Sequence, residues 1–467
     1  MTDPQTDPQT DLDVAVVGAG PAGLAAAHAL AGAGRTVRVF EAADAVGGRM
    51  RTVREHGCLI DIGAEMFPEP PAYPATWRLI SALGLDADPA AVPTVPDALA
   101  VWRGGRTRPH VGRPLGLLTG AGLGARARLD LVRLQARLAR LGDLDPQRPE
   151  HTSLGTATVA DLVRPYHPDL RDYLVDPLVG GFFGWDPERS AAAPFAAHLA
   201  TSGGTSGWRT YRDGMDTLAR ALAARLDVVT GHPVTRVTGG LRTVLLESPR
   251  GTVSARAAVL AVPAPVAARL HPDAPPAVRE FLRACGYAPM LRVSLVLDRP
   301  LAPRGARPRF ATLVPSAADP LLGVITADHR KHPGRAPEGR GLLSLVTSPA
   351  GTAELVGAPD DAVANRLLAR AERFVPGLGR NVRHVRVSRF RHGLPEATPR
   401  ALRLRAAFAR RPVSSVEYAG DWTVLRPCSE GAVASGGTAA ARVVHHLSGG
   451  LGPGDALDPD PFQEVDR

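Results

Sequence analysis

Asp13-Val14-Ala15-Val16-Val17-Gly18-Ala19-Gly20-Pro21-Ala22-Gly23, followed by the alanine-rich run 24–33, is the stretch that decides the fold of this 467-residue chain. The apolar run 14–17 predicts a buried strand, and the glycine spacing predicts a tight turn into a helix. Gly18 permits the turn, Gly20 lets backbone approach a pyrophosphate, and Gly23 lets helix and strand pack closely, so phosphates meet the positive end of the helix dipole. Gly34 closes the helix, 36–40 reads as a second strand, and Glu41 with Ala42 ends it about 20 residues beyond the glycines, where a carboxylate accepts from both ribose hydroxyls. An acid there disfavours a 2′-phosphate and hence NADP; FAD and NAD both stay open.

Composition narrows the classes around this motif. At roughly 150 residues per domain the length corresponds to two or three domains, and 44% hydrophobic with 22% charged residues is globular. The net charge of +9 suggests an anionic partner, but 54 of the 55 basic residues are arginine, which looks like a compositional bias. With no recognised module beside dispersed arginines, nucleic acid is not an expected partner. Lys331 is the single lysine and lies in a run, 328–334, that reads as a loop, so Schiff-base, pyridoxal-phosphate and phosphate-loop chemistry are set aside. Cys58, Cys285 and Cys428 form no CxxC pair, so no metal site is expected and a reducing cytoplasm fits. Residues 1–12 read as a short disordered tail and 448–467 as a flexible one; no apolar run reaches the ~18 residues of a membrane span.

The next segments, Gly47-Gly48-Arg49-Met50-Arg51-Thr52 and Gly57-Cys58-Leu59-Ile60-Asp61-Ile62-Gly63-Ala64-Glu65-Met66, resemble the flavin amine oxidase superfamily. That group includes protoporphyrinogen oxidases, phytoene-type desaturases and monoamine or polyamine oxidases. The resemblance implies an α/β fold, with a Rossmann-like FAD-binding domain of the GR2 type and an inserted α+β substrate domain. FAD is expected as a non-covalent cofactor. Gly48 and Arg49 are implied at its phosphates and ribityl chain, and Gly63, Ala64, Glu65 and Met66 beside the isoalloxazine. Ala43 departs from an arginine found in several relatives.

Further motifs follow in the family's order. Tyr211 to Leu222 looks like its GGM-x-x-L helix, and 228–237 and 252–263 read as strands, with Val234 implied at the adenine. Gly420-Asp421-Trp422-Thr423 and Cys428-Ser429-Glu430-Gly431-Ala432-Val433 form a second cofactor signature. Ser429 is expected to cap that helix, leaving the N–H groups of Gly431, Ala432 and Val433 for the flavin edge. The implied FAD domain is 13–95, 206–270 and 409–447; the substrate domain is 96–205 and 271–408, with a helix at 359–375.

The reaction implied is hydride transfer to flavin N5 from a C–H bond held in an apolar, dry cavity. Amine oxidases of the family carry a lysine where this chain has Arg292, and an aromatic residue where it has Cys428. This favours dehydrogenation of a bulky hydrophobic metabolite, with molecular oxygen or another electron acceptor as oxidant. Glu65, His392 and Arg292 are the catalytic candidates. Amine oxidation, redox-neutral isomerisation or cyclisation, and a non-redox escort-type role are the alternatives. Phe67, Phe182, Phe183, Trp185 and Trp422 are each either cavity or core. An amphipathic arginine-leucine helix at 125–141 packs on the core or rests on anionic lipid, so a cytoplasmic chain with peripheral membrane contact is the expected range.

Overall fold

The computed structural model describes residues 12–96, 98–202, 204–240, 242–305 and 309–449, so nearly all of both expected tails lies outside the described residues. Its organising element is a five-stranded parallel sheet in the order Val416–Tyr418, Ala257–Leu260, Val14–Val17, Val37–Phe40, Asp227–Val229. Val14–Val17 and Ala257–Leu260 are buried at every position, as strands covered on both faces must be, and therefore read as unbroken apolar runs. Helix Pro21–Gly32 leaves the central strand and packs against the C-terminal helix Ser429–Leu447. Small residues allow that approach: a Cβ on Gly436 would lie 2.4 Å from the Ala22 carbonyl oxygen.

The second layer is a seven-stranded sheet in the order Val382–Glu396, Gly286–Leu297, Gly341–Thr347, Leu322–Ala327, Ala311–Leu313, Leu99–Arg103, Arg106–Pro109. Its pairings are antiparallel except that Leu99–Arg103 runs parallel to Ala311–Leu313. The helices Ala125–Leu141, Asp176–Phe183 and Ala192–Thr201 come from the chain between its first and later strands.

Several local expectations change. The run 228–237 is broken by Gly231, at φ +61, so Asp227–Val229 stays in the parallel sheet and Arg236–Gly239 joins a three-stranded antiparallel sheet. The run 252–263 likewise splits into Gly251–Ala255 in that small sheet and Ala257–Leu260 in the parallel one. The expected 359–375 helix is Asp360–Ala371. Residues 328–334 are not a loop: Asp328–Lys331 is a helical turn, and Lys331 is only 1% exposed.

Candidate cofactor and substrate site

At the end of strand Val14–Val17 the glycines behave as their spacing implies. Gly18 sits at φ +105 with the Ala261 carbonyl where a Cβ would point, and a Cβ on Gly23 would meet the Gly18 carbonyl oxygen at 1.9 Å. Gly20 faces open space, with no atom within 4 Å of a Cβ built there, and no side chain caps helix Pro21–Gly32. An open glycine at an uncapped helix N-terminus has the shape and charge that receive a pyrophosphate. The Glu41 carboxylate closes the turn, accepting from Ala19 N at 2.7 Å and Ala43 N at 2.9 Å. Around it, Gly231 N donates to the Ala43 carbonyl and His232 N to the Glu41 carbonyl, which brings the Val234 segment beside the acid. Gly47 N donates to the Ala19 carbonyl, so the Gly48-Arg49 turn lies on the first glycine turn. These features fit the dinucleotide half of FAD.

Arg49 leaves that turn to form a two-pronged ion pair with Asp421, at 2.8 and 2.9 Å, and to donate to the Gly393 carbonyl at 3.0 Å. A planar guanidinium matched to a carboxylate in this way is held in one orientation. Arg49, Asp421, Pro21, the segment Gly63 to Met66, and Ser429 and Ala432 open onto one cavity of about 980 Å³. Of the remaining implied cofactor residues, Gly18, Gly20, Ala22, Gly23, Glu41, Ala42, Gly48, Val234, Gly420, Gly431 and Val433 lie outside its lining. The first nine of these belong to the turns and strand ends just described, or adjoin Asp421.

The C-terminal helix starts differently from the expectation. Cys428 is the cap, its Sγ accepting from Gly431 N at 3.5 Å, while Ala432 N donates to the Cys428 carbonyl. The N–H groups of Gly431 and Ala432 are therefore occupied, and those of Ser429 and Glu430 precede the first internal bond. Burial pushes the Cys428 thiol up, which keeps it protonated. The Glu430 carboxylate, 1% exposed, accepts from Ala75 N and Thr76 N at the start of helix Pro74–Ala82 and so joins two helix N-termini.

Glu65 and Arg292 are brought together, but inside a charge cluster and not as free groups. Lys331 Nζ donates to Asp61 at 2.7 Å and to Glu65; Arg292 pairs with Glu65 and, at 3.3 Å, with Asp328; Arg335 pairs with Asp61 at 3.1 Å. Asp61 also accepts from Thr52 and from Met215 N, tying the D-x-G strand to the Gly214-Met215 turn. Burial pushes Asp61 up, but Lys331 and Arg335 outweigh it and bring the carboxyl down to about 2. For Glu65 burial prevails, and its pKa stays above the ordinary value despite Arg292 and Lys331. His392 is outside the cavity lining; it packs edge-on against Tyr287 at 5.5 Å, and burial with nearby arginines lowers its pKa.

The rest of the cavity wall is mostly apolar, with Leu131, Leu134 and Leu138 of helix Ala125–Leu141, Leu174, Leu178, Phe182, Phe183 and Phe195, Met290, Val324 and Val346 of the large sheet and Phe310 just before its strand Ala311–Leu313; Arg113, Arg128, Gln135, His110, His198, Ser202, Thr205 and Thr326 are among its polar members. The leucine stripe of the amphipathic helix thus serves as core and cavity wall together. Phe67, Trp185 and Trp422 are core residues outside the lining. Residues that sequence reasoning missed are Lys331, Glu430 and His198, a cavity-lining side chain on helix Ala192–Thr201.

Similarity to known proteins agrees with this geometry. Protoporphyrinogen oxidase 2 of Arabidopsis thaliana is 30% identical over 195 residues, 40% of this chain and 36% of that protein. Putrescine oxidase of Kocuria rosea is 44% identical over 89 residues, 18% of each chain. The aligned stretches thus span about a third or less of these relatives' length. The solved structure of cyclohexylamine oxidase from Brevibacterium oxydans has the same fold, with TM-score 0.74 at 19% identity, covering 94% of this chain and 100% of that one. Among the described residues no helix is long and apolar enough to cross a membrane, and no group of His, Cys, Asp and Glu is arranged to hold a metal. Residues 21–444 match the family described as flavin containing amine oxidoreductase; with the glycine turn, the Glu41 clasp and the Arg49–Asp421 pair in place, the chain belongs to that family of FAD-dependent oxidoreductases.

Proposed function

We propose that this protein dehydrogenates a C–C or C–heteroatom bond of a bulky, largely hydrophobic metabolite, in the manner of protoporphyrinogen oxidases and desaturases, with molecular oxygen or another acceptor as final oxidant. The observation that carries the reading is the lining of the 980 Å³ cavity: leucine, valine, phenylalanine and methionine predominate, and its two carboxylates, Glu65 and Asp421, are each paired with an arginine. No unpaired carboxylate among the described lining residues is left to receive a substrate ammonium. FAD, when bound, supplies a hydride acceptor at its N5. The chain's own residues do the rest. The glycine turn and Glu41 bind the adenosine and pyrophosphate, Arg49 with Asp421 orients the ribityl region, and the leucine and phenylalanine wall holds the substrate and excludes water.

Arg292 is permanently charged and committed to Glu65 and Asp328, so it has no lone pair with which to take a proton. Its role in this reading is to fix Glu65 at the cavity surface. His392 has no direct substrate role. The protonated Cys428 thiol favours non-covalent FAD. The segments 13–95, 206–270 and 409–447 make the cofactor domain, and 96–205 with 271–408 the substrate domain.

A peripheral membrane contact belongs to the same reading. Five of the six large apolar side chains exposed among the described residues, Leu115, Leu118, Leu129, Val132 and Leu199, lie on three helices that also line the cavity. Leu118 is 77% exposed, and Arg126, Arg133, Arg137 and Arg140 stand exposed on the neighbouring helix. Apolar side chains beside arginines match an anionic lipid surface, from which a lipophilic substrate is collected.

The test is turnover of the FAD-loaded protein with porphyrinogen, polyene, polyketide-like and amine compounds, with products followed by mass spectrometry. The expected result is a product lighter by two hydrogens from an uncharged hydrophobic compound. Turnover confined to amines, or isomerisation without mass change, would overturn the reading.

A further inference from the structure

His198 lines the cavity and has no part in cofactor binding or charge pairing. It lies near the end of helix Ala192–Thr201, and its ring meets Phe183 edge-on at 5.3 Å with the planes at 88°. Phe183 and Phe195 line the cavity beside it. Nδ1 is buried and has no hydrogen-bond partner. Nε2 makes no hydrogen bond within the described chain either, and it is not among the buried unpartnered atoms, so it is the ring nitrogen open to a ligand.

Burial lowers the ring's pKa to about 3, with Arg426 acting in the same direction, so the imidazole is neutral at physiological pH. A neutral ring carries its one proton on Nδ1 or on Nε2. An orphaned buried N–H is rarer than an under-satisfied acceptor, which places the bare lone pair on shielded Nδ1 and the N–H on open Nε2. A donor set among leucine and phenylalanine side chains is an address for one acceptor atom. An unmade hydrogen bond there costs more than the same bond contributes in water.

We propose that His198 is a specificity-determining substrate contact, whose Nε2–H donates to a neutral oxygen, carbonyl or hydroxyl, carried on an otherwise apolar substrate. This rests on the apolar-cavity reading above and narrows it: the substrate is neither a pure hydrocarbon nor a cation, and its oxygen lies on the side of the cavity walled by Phe183.

The experiment titrates FAD-loaded wild type, His198→Phe and His198→Gln with methyl decyl ketone and with dodecane, two probes of matched length, reading the perturbation of bound-flavin absorbance and of tryptophan emission, since Trp208 lines the cavity. The expected outcome is that His198→Phe weakens the ketone by roughly 3- to 10-fold, the range of one net hydrogen bond, and leaves dodecane unchanged or tighter. His198→Gln, which retains an N–H at similar reach, is expected to recover most of the ketone affinity. Should the phenylalanine variant fail to fold, His198→Leu carries the same comparison. Equal losses for ketone and dodecane, or no recovery in a folded glutamine variant, would overturn the proposal while leaving the cavity reading intact. If neither probe binds wild type, the cavity reading fails and this proposal with it.

Discussion

The parallel sheet and the large mixed sheet face the same cavity with different chemistry. On the parallel side the surface is built from backbone and charge: Gly18, Gly20 and Gly23 shape a turn, Glu41 clasps it, and Arg49 is locked to Asp421. On the other side the wall is mostly apolar, with leucines and phenylalanines from several helices and no carboxylate among the lining residues that those helices give. The charge cluster of Asp61, Glu65, Asp328, Arg292, Lys331 and Arg335 is the seam between them. A cofactor common to a family needs fixed donors and acceptors, whereas a substrate that varies among relatives is recognised by a surface that repacks at small cost. Substitutions on the first side should therefore act sharply, and those on the second by degrees.

The largest expected effect is at the glycine turn. Gly23→Val would drive a side chain into the Gly18 carbonyl, already 1.9 Å from a bare Cβ, and the expected outcome is loss of bound flavin together with the cooperative unfolding transition. A folded holoprotein carrying that substitution would break the distinction between the two sides. Next comes the seam. Lys331→Met leaves Asp61 with Arg335 and Glu65 with Arg292 but removes the ammonium between them, and breaking a buried pair costs about 3 kcal/mol. Urea unfolding measures it, and a change within ~0.5 kcal/mol would show the seam to be incidental.

Acid tests the same seam through Asp61. Its folded-state pKa of about 2 lies below the ordinary 3.8, so the stability it contributes is present above the unfolded value and is lost as pH falls from there through about 2. The size is about 2 kcal/mol by linkage. Glu65 is shifted the opposite way and makes the combined acid limb shallower. Asp61→Asn should remove the Asp61 part of that limb in stability measured against pH; an unchanged limb would locate the acid sensitivity elsewhere. The smallest effect on stability is at the exposed rim. Leu118→Asp and Leu129→Asp should change stability by no more than ~0.5 kcal/mol while lowering co-sedimentation with anionic vesicles. Vesicle binding that survives both would sever the rim from the membrane.

The same contrast explains what could be read from residue order. The glycine turns, Glu41 and the Arg49 segment are legible because backbone geometry leaves a spacing in the first 50 residues: Gly18 and Gly23 meet in one turn, Glu41 accepts from Ala19, and Gly47 N donates to the Ala19 carbonyl. Lys331 is not legible: its partners Asp61 and Glu65 are 270 and 266 residues away, and a four-residue helical turn has no periodicity to betray it. Ser429 is the better cap by type, yet the helix begins at Ser429 with Cys428 as its cap, Sγ accepting from Gly431 N. His198 stands in an alanine-rich helix with no motif around it. The strands at 228–237 and 252–263 read as apolar runs, but their division between two sheets depends on partners far along the chain.

The central claim, that this cavity presents an uncharged hydrophobic substrate to FAD, is tested most directly by anaerobic bleaching of the bound flavin, comparing polyene and porphyrinogen compounds with primary and secondary amines at equal concentration. Rapid bleaching by a hydrophobic compound, with amines inert, is the result expected from a wall of leucine and phenylalanine whose two carboxylates are both paired. Rapid bleaching by amines, with the hydrophobic compounds inert, would contradict it.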